Sequence, residues 1–301
     1  MDATEGVTMD GSGRTLRLVW PQWQGAGTPA VREFAPEFPF DVARRGYAVG
    51  SAVLAAVLPP HDGPTATVPV TMGDEGLTER DGLEAKSAVL RQLTAALDVI
   101  GEHQPDRILT LGGECSVSVA PFTALAACYP DDLAVLWIDA HPDTGTGASA
   151  YPGYHAMAVT ALTGHGDPDV LAALPATLPA DRVALVGLCE WTDDDYPRIA
   201  EWGLTTFGPD ALRTTSAPVL DWLAATGCRH VAIHFDVDTI DSDELRLGLG
   251  AVPGGLTSAQ VRRIVADVGA AADVVGLTIA EFIPRQVMQL QQVVAGFPLL
   301  G

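Results

Sequence analysis

Two stretches, Leu133-Ala-Val-Leu-Trp-Ile138 and Val231-Ala-Ile-His-Phe235, are apolar almost without interruption and end after five or six residues. That length suits a strand, and apolar side chains at both parities mean that both faces of the strand must be covered. The intervening sequence supplies the cover. Extended patterns at 16–20, 67–70, 107–111, 133–139, 182–188, 229–236 and 274–280 alternate with helical ones near 44–57, 82–103, 117–129, 156–163, 194–202, 218–226, 257–268 and 286–296. Such alternation builds βαβ crossovers and a mostly parallel sheet, an α/β fold. At 301 residues and 48% hydrophobic content the chain can bury a large core. No repeat or low-complexity linker interrupts it, so one α/β domain over 1–301 is expected, with 165–180 the only competing boundary. Residues 1–15 read as a frayed end and the Pro-rich 21–39 as a surface loop.

Charge narrows the partners. With 38 acidic against 17 basic residues, a net −21, and Lys86 as the only lysine, nucleic acid and anionic membranes are excluded as expected partners. No apolar run approaches the roughly 18 residues of a membrane span. Cys115, Cys128, Cys189 and Cys228 form no CxxC pair, and the start of the chain carries neither a basic nor an apolar leader pattern. A reducing cytoplasm is the expected compartment.

In a parallel sheet all strand C-termini share one rim, where α/β proteins bind ligands. Here that rim collects Gly112-Gly-Glu-Cys-Ser116, Asp139-Ala-His-Pro-Asp143, Asp236-Val-Asp238 and Glu281, each closing an apolar run. Asp139, His141 and Asp143 at i, i+2, i+4 aim three donors to one side, and Asp236 and Asp238 repeat the pattern. Five such ligands with four negative charges repel unless cations sit among them, which favours two divalent ions bridged by shared carboxylates. Oxygen donors with one or two nitrogens suit Mn²⁺. Taken singly, Asp139 and Asp236 could merely cap turns, and His155 could be a capping or core histidine.

Together these segments resemble the ureohydrolase (arginase/agmatinase) superfamily, whose pattern runs GGDHS, DAHxD, SxDxDxxDP, GGLT and a final acidic residue in E-x-x-P. The counterparts are Gly112–Ser116, Asp139–Asp143, His234–Asp241, Gly254-Gly-Leu-Thr257 and Glu281-Phe-Ile-Pro284, in matching order over about 170 residues. The resemblance implies a three-layer α/β/α sandwich around a mostly parallel sheet of about eight strands, and a binuclear manganese centre. It implies a first ion on Cys115, Asp139, Asp143 and Asp236 and a second on Asp139, His141, Asp236 and Asp238. It further implies attack by a metal-bridging hydroxide, oriented by Asp143, on a guanidinium or amidine carbon. Glu281 would face the substrate's cationic nitrogens and His155 would pass a proton to the leaving amine.

The departures bear on activity. Cys115 replaces the family's histidine and Glu114 the preceding aspartate; a thiolate discriminates against Mn²⁺ and favours Zn²⁺, so two ions are expected if the first site is intact and one if Cys115 does not ligate. Gly145 stands where arginases hold an amino-acid carboxylate, and Cys189-Glu190 where relatives carry Arg-Asp or Arg-Ser; both are candidate substrate-contact positions, and arginine itself is disfavoured. Ser242 replaces a proline. His234 replaces a serine; it shares the parity of Asp236, and either reshapes the surroundings of the ligands or is a core residue on the other sheet face. The sequence therefore predicts a metal-dependent hydrolase of linear C–N bonds in a small cationic guanidino or formimino compound, working as a homo-oligomer. The competing reading is an arginase-like binding or assembly partner without that activity. A zinc deacylase, a third possibility, fits the paired DxD at Asp236 poorly.

Overall fold

A computed structural model describes residues 14–300. Eight strands, β1 (Thr15–Trp20), β2 (Thr65–Thr67), β3 (Arg107–Gly112), β4 (Leu133–Ile138), β5 (Val183–Val186), β6 (Thr205–Phe207), β7 (His230–Asp236) and β8 (Asp273–Ala280), form one sheet. Its order is β2-β1-β3-β8-β7-β4-β5-β6, and every pairing is parallel. Helices cover both faces, so the fold is the expected three-layer α/β/α sandwich.

The two faces can be read off one strand. Leu133, Val135 and Trp137 of β4 pack into a core shared with the helices Lys86–His103, Val119–Cys128 and Ala158–Leu162. Ala134, Leu136 and Ile138 pack into the opposite core, against the helices Ala217–Thr226, Ser258–Ala271 and Val287–Val294. All six are buried, which is why the run is apolar at both parities.

Several expectations shift. β1 begins at Thr15, inside the segment read as frayed; the rest of that reading, residues 1–13, lies outside the described residues. The Pro-rich 21–39 contains a helix, Thr28–Phe34, with Pro29 at its start, where the missing N–H is no loss. β2 lies at Thr65–Thr67 rather than 67–70, and β6 was not foreseen. The 165–180 stretch carries the helix Pro168–Ala173, capped by Asp167 and seated through buried Val170. Among the described residues no helix is long and apolar enough to cross a membrane.

The strands β3, β8, β7 and β4 are consecutive neighbours at the middle of the sheet. Their carboxyl ends lead directly into Cys115, Glu281, Asp236 and Asp139. The chain crosses from β3 over two strands to β4, which makes this the point where strand order reverses.

Candidate metal centre

Local backbone sets each donor. After β3, Gly113 lies so close to Gln22 that any side chain would overlap its carbonyl, and the Gly113 carbonyl accepts the Glu281 N–H at 2.7 Å. Glu114 caps the following turn by accepting the Ser116 N–H at 2.8 Å, which presents Cys115 on the first turn. Asp139 accepts the His141 N–H through Oδ1 at 2.7 Å, and Asp236 accepts the Asp238 N–H through Oδ1 at 2.8 Å. Both aspartates therefore do cap turns, and their Oδ2 atoms remain directed into the crevice. Asp143 and Glu281 have left-handed backbones, φ 49° and 62°. Neither is glycine, so each stores roughly 1–3 kcal/mol of strain at the site.

Three groups of donors assemble: one joins Cys115 to His155 and Glu281, and the other two centre on Asp139. In one of that pair, Asp139, His141 and Asp238 place an atom each within 4.8 Å of one another, with His141 Nδ1 at 3.4 Å from Asp139 Oδ1 and 3.3 Å from Asp238 Oδ2. In the other, Cys115, Asp139, His234 and Asp236 do the same; Cys115 Sγ is 3.0 Å from Asp236 Oδ2 and 3.9 Å from Asp139 Oδ2. Asp143 is buried alongside but belongs to none of the three, and its Oδ2 has no hydrogen-bond partner.

The electrostatics suit bound cations. Burial, reinforced by neighbouring carboxylates, raises the pKa of Asp139 to about 6 and those of Asp143 and Asp236 well above the carboxylate range. Burial also pushes the Cys115 thiol well up, with Asp236 the strongest charge acting on it. Burial opposes ionisation of Asp238 too, but His141 holds it below its usual value, while Asp238 and Asp139 keep His141 well above its own. Five buried carboxylates faced by only two raised imidazoles, His141 and His155, leave a deficit of positive charge that divalent ions would fill. The unpartnered buried oxygens Asp143 Oδ2 and Asp238 Oδ1 point to the same need.

Around the donors lies a ring of supporting contacts. Trp137 Nε1 donates to Asp139 Oδ2 at 3.0 Å and stacks on His234 at 3.6 Å and 6°, while Ser118 Oγ lies 2.7 Å from His234 Nδ1. His234 thus lies on the same sheet face as Asp236, inside the core yet against the donors. Glu190 contacts His141 Nε2 at 3.2 Å. Glu281 Oε1 accepts the Cys115 N–H at 3.1 Å and lies 3.1 Å from His155 Nδ1, whose Nε2 is 2.6 Å from the Tyr151 hydroxyl. Burial opposes charge on His155, but Glu281 raises its pKa. Gly145 is buried, and a Cβ there would meet the Ala156 carbonyl oxygen at 2.7 Å, so the position holds no side chain for a substrate.

Trp137, Ser118 and Tyr151 were not singled out from the sequence. Trp137 had a signal, since it shares the face of Asp139 two residues on; Ser118 and Tyr151 had none. The surface groove beside Leu97, Asp106 and Ile108 lies at the amino end of β3, away from this centre.

A family model described as "Arginase family" matches residues 42–296. An arginase from Eremothecium gossypii is 29% identical over 186 residues, covering 59% of this chain and 46% of that protein. An agmatinase from Chromobacterium violaceum is 28% identical over 181 residues, covering 59% and 51%. The matched region thus spans about half the length of these relatives. The crystal structure of Entamoeba histolytica arginase in complex with L-ornithine superposes with a TM-score of 0.74 at 17% identity, over 96% of this chain and 98% of that one; at that identity the likeness speaks to fold.

Proposed function

The chain belongs to the arginase family, and from that premise we propose that it is a metal-dependent hydrolase of a linear C–N bond in a small cationic guanidino or formimino compound other than arginine. One observation carries the reading: buried carboxylates at three adjacent strand ends, short of positive charge, converge with two raised imidazoles on one crevice. Asp139, His141, Asp236 and Asp238 would hold one ion, of the manganese class; Asp139 and Asp236 with Cys115 would hold the other, and Asp143 stands close enough in the chain to join it. Ions bound there would lower the pKa of water toward neutrality and polarise the substrate's C=N bond.

The remaining steps belong to the chain's own groups. Asp143 Oδ2, buried and free, accepts a hydrogen bond from the attacking water and orients it. His155, whose protonated form Glu281 favours, would supply a proton to the nitrogen that leaves. Water adds to the central carbon, the C–N bond breaks, and an amine departs with urea from a guanidino substrate or formamide from a formimino one. Glu281 would face the substrate's cationic nitrogens, sharing its contacts with His155 and the Cys115 N–H. Glu190 acts through His141. Gly145 leaves no anchor for an amino-acid carboxylate, which favours substrates without one. The same reading takes the chain as one α/β domain that self-associates in a reducing cytoplasm.

The test is direct. Purified protein loaded with Mn²⁺, Zn²⁺ or both is offered a panel of guanidino and formimino compounds, and urea, formamide and ammonia are assayed. Release from at least one non-arginine substrate, lost in His155→Ala, is expected; no release from any member overturns the reading in favour of a non-catalytic binding role.

A further inference from the structure

His234 is the least explained buried group in the molecule. It is wholly buried, one ring nitrogen is engaged by Ser118 Oγ at 2.7 Å, and the other, Nε2, has no hydrogen-bond partner. That free nitrogen lies 3.9 Å from Asp139 Oδ2, and the His234 ring shares a cluster, one donor atom from each residue and all within 4.8 Å, with Cys115 Sγ and carboxylate oxygens of Asp139 and Asp236. An unpaired imidazole nitrogen in a core costs free energy that an apolar residue would avoid. A cation would repay that cost, since the lone pair is then a ligand.

We propose that Cys115 Sγ, His234 Nε2 and the carboxylates of Asp139 and Asp236 form a mixed-donor site for a zinc-class ion, chemically distinct from the oxygen-rich position at His141. The inference rests on the reading that this crevice binds metal ions, and it assigns ligands within it. Sulfur, nitrogen and two oxygens are a four-donor set suited to tetrahedral Zn²⁺ or Co²⁺ and poorly suited to Mn²⁺. The imidazole is preset for the role. Ser118 fixes the Nδ1 side, and the parallel stack on Trp137 fixes the ring plane, while Trp137 Nε1 holds Asp139 Oδ2, so one indole positions two donors. Binding is balanced by proton release: the thiol hydrogen, borne on an Sγ 3.0 Å from Asp236 Oδ2, leaves to solvent as the metal–sulfur bond forms, together with any proton the Asp236 carboxyl holds. The imidazole missing at position 115 is thereby supplied from β7, and Asp143, outside the cluster, is left free to orient water.

Zinc K-edge X-ray absorption of the wild-type protein loaded with one equivalent of Zn²⁺ should show a sulfur scatterer near ~2.3 Å and imidazole nitrogen near ~2.0–2.1 Å. The Co²⁺ form should show near-ultraviolet sulfur-to-metal charge transfer that Cys115→Ser abolishes. His234→Gln should remove the imidazole signal and weaken zinc binding at least ~10-fold; should that variant not fold, His141→Gln must keep both the sulfur signal of Cys115 and the imidazole signal of His234. Oxygen and nitrogen scatterers alone in the wild type, or an imidazole signal lost in His141→Gln and kept in His234→Gln, overturns the assignment. Hydrolysis by protein that lacks the sulfur signal sinks this site and leaves the proposed reaction standing, whereas the sulfur and imidazole signals without hydrolysis do the reverse.

Discussion

Acidifying the metal-stripped protein should unfold it in part through one imidazole. Burial holds the pKa of His234 at about 3, against an ordinary value of 6.5. The folded chain therefore refuses a proton that the unfolded chain accepts as soon as the pH drops below 6.5. The stabilisation is complete above 6.5 and is lost progressively as pH falls toward 3. Each pH unit in the middle of that window is worth about 1.4 kcal/mol, so roughly 2.7 kcal/mol is gone by about pH 4.5 and about 4.4 kcal/mol by pH 3. Asp139 works in the opposite direction, because its pKa is raised to about 6: the folded state gains as that carboxyl protonates. Comparing the wild type with His234→Gln cancels that term to first order, since the amide cannot titrate. The assay is urea unfolding in excess chelator at intervals between pH 7 and 4.5. The wild-type advantage over His234→Gln should shrink, or its deficit grow, by about 2–3 kcal/mol across that range. A difference that stays flat, or that moves the other way, would refute the assignment of a neutral, buried imidazole.

Lys86, the only lysine, is 2% exposed and lies 2.6 Å from Asp81 and 2.8 Å from both Asp167 and Asp169; Lys86→Met strands the buried Asp167 carboxylate and should cost about 3–5 kcal/mol in denaturant unfolding. The native protein should likewise leave Lys86 unmodified by amine-acylating reagents, as read by peptide mass. Glu190→Gln removes the charge beside His141 Nε2 and should weaken metal binding ~10–100-fold by calorimetry while leaving the melting temperature of stripped protein within a degree or two, since that side chain is half exposed. Gly50→Ala drives a Cβ into the Phe282 carbonyl oxygen, next to Glu281, and should destabilise by roughly 1–3 kcal/mol, measured in the same unfolding assay.

What the sequence made legible follows from how strongly each feature is encoded locally. β4 and β7 carry six and seven residues of sustained pattern, and the carboxylates sit where such strands end. β6 is three residues, Thr205-Thr-Phe207, at the sheet edge; pairing with β5 makes it a strand, and no local period announces it. The helix Thr28–Phe34 was hidden by prolines that mark breaks in most positions and starts in this one. At the centre, the aspartates were readable because their spacing is local. The meeting of Cys115 with His234, 119 positions apart in the numbering of the sequence, depends on β3 and β7 being separated by a single strand, which spacing along the chain cannot express. Parity placed His234 with Asp236, but only the position of Ser118 and Trp137 shows which ring nitrogen is free.

The substitutions around the first ion position are mutually fitted, and that bears on whether the centre is working or decayed. Glu114, one methylene longer than the aspartate of the family pattern, is wholly buried; Gln22 Nε2, the Ser116 N–H and Ser116 Oγ all donate to it, and Gly25 opposite is the one residue type that leaves room for its carboxylate. Cys115 is answered by His234, and His234 by Ser118 and Trp137. A crevice released from metal binding would gain stability by exchanging buried carboxylates for apolar side chains, since each uncompensated charge in a core costs several kcal/mol. Asp139, Asp143, Asp236, Asp238 and Glu281 are nonetheless all present and buried. Their joint retention is therefore a standing cost without a cation and an asset with one, and because protons compete with cations for the same oxygens, adding Zn²⁺ and Mn²⁺ to stripped protein should raise its melting temperature more at neutral than at acid pH. Stabilisation that is equal at both, or absent, would show that the centre no longer serves metal.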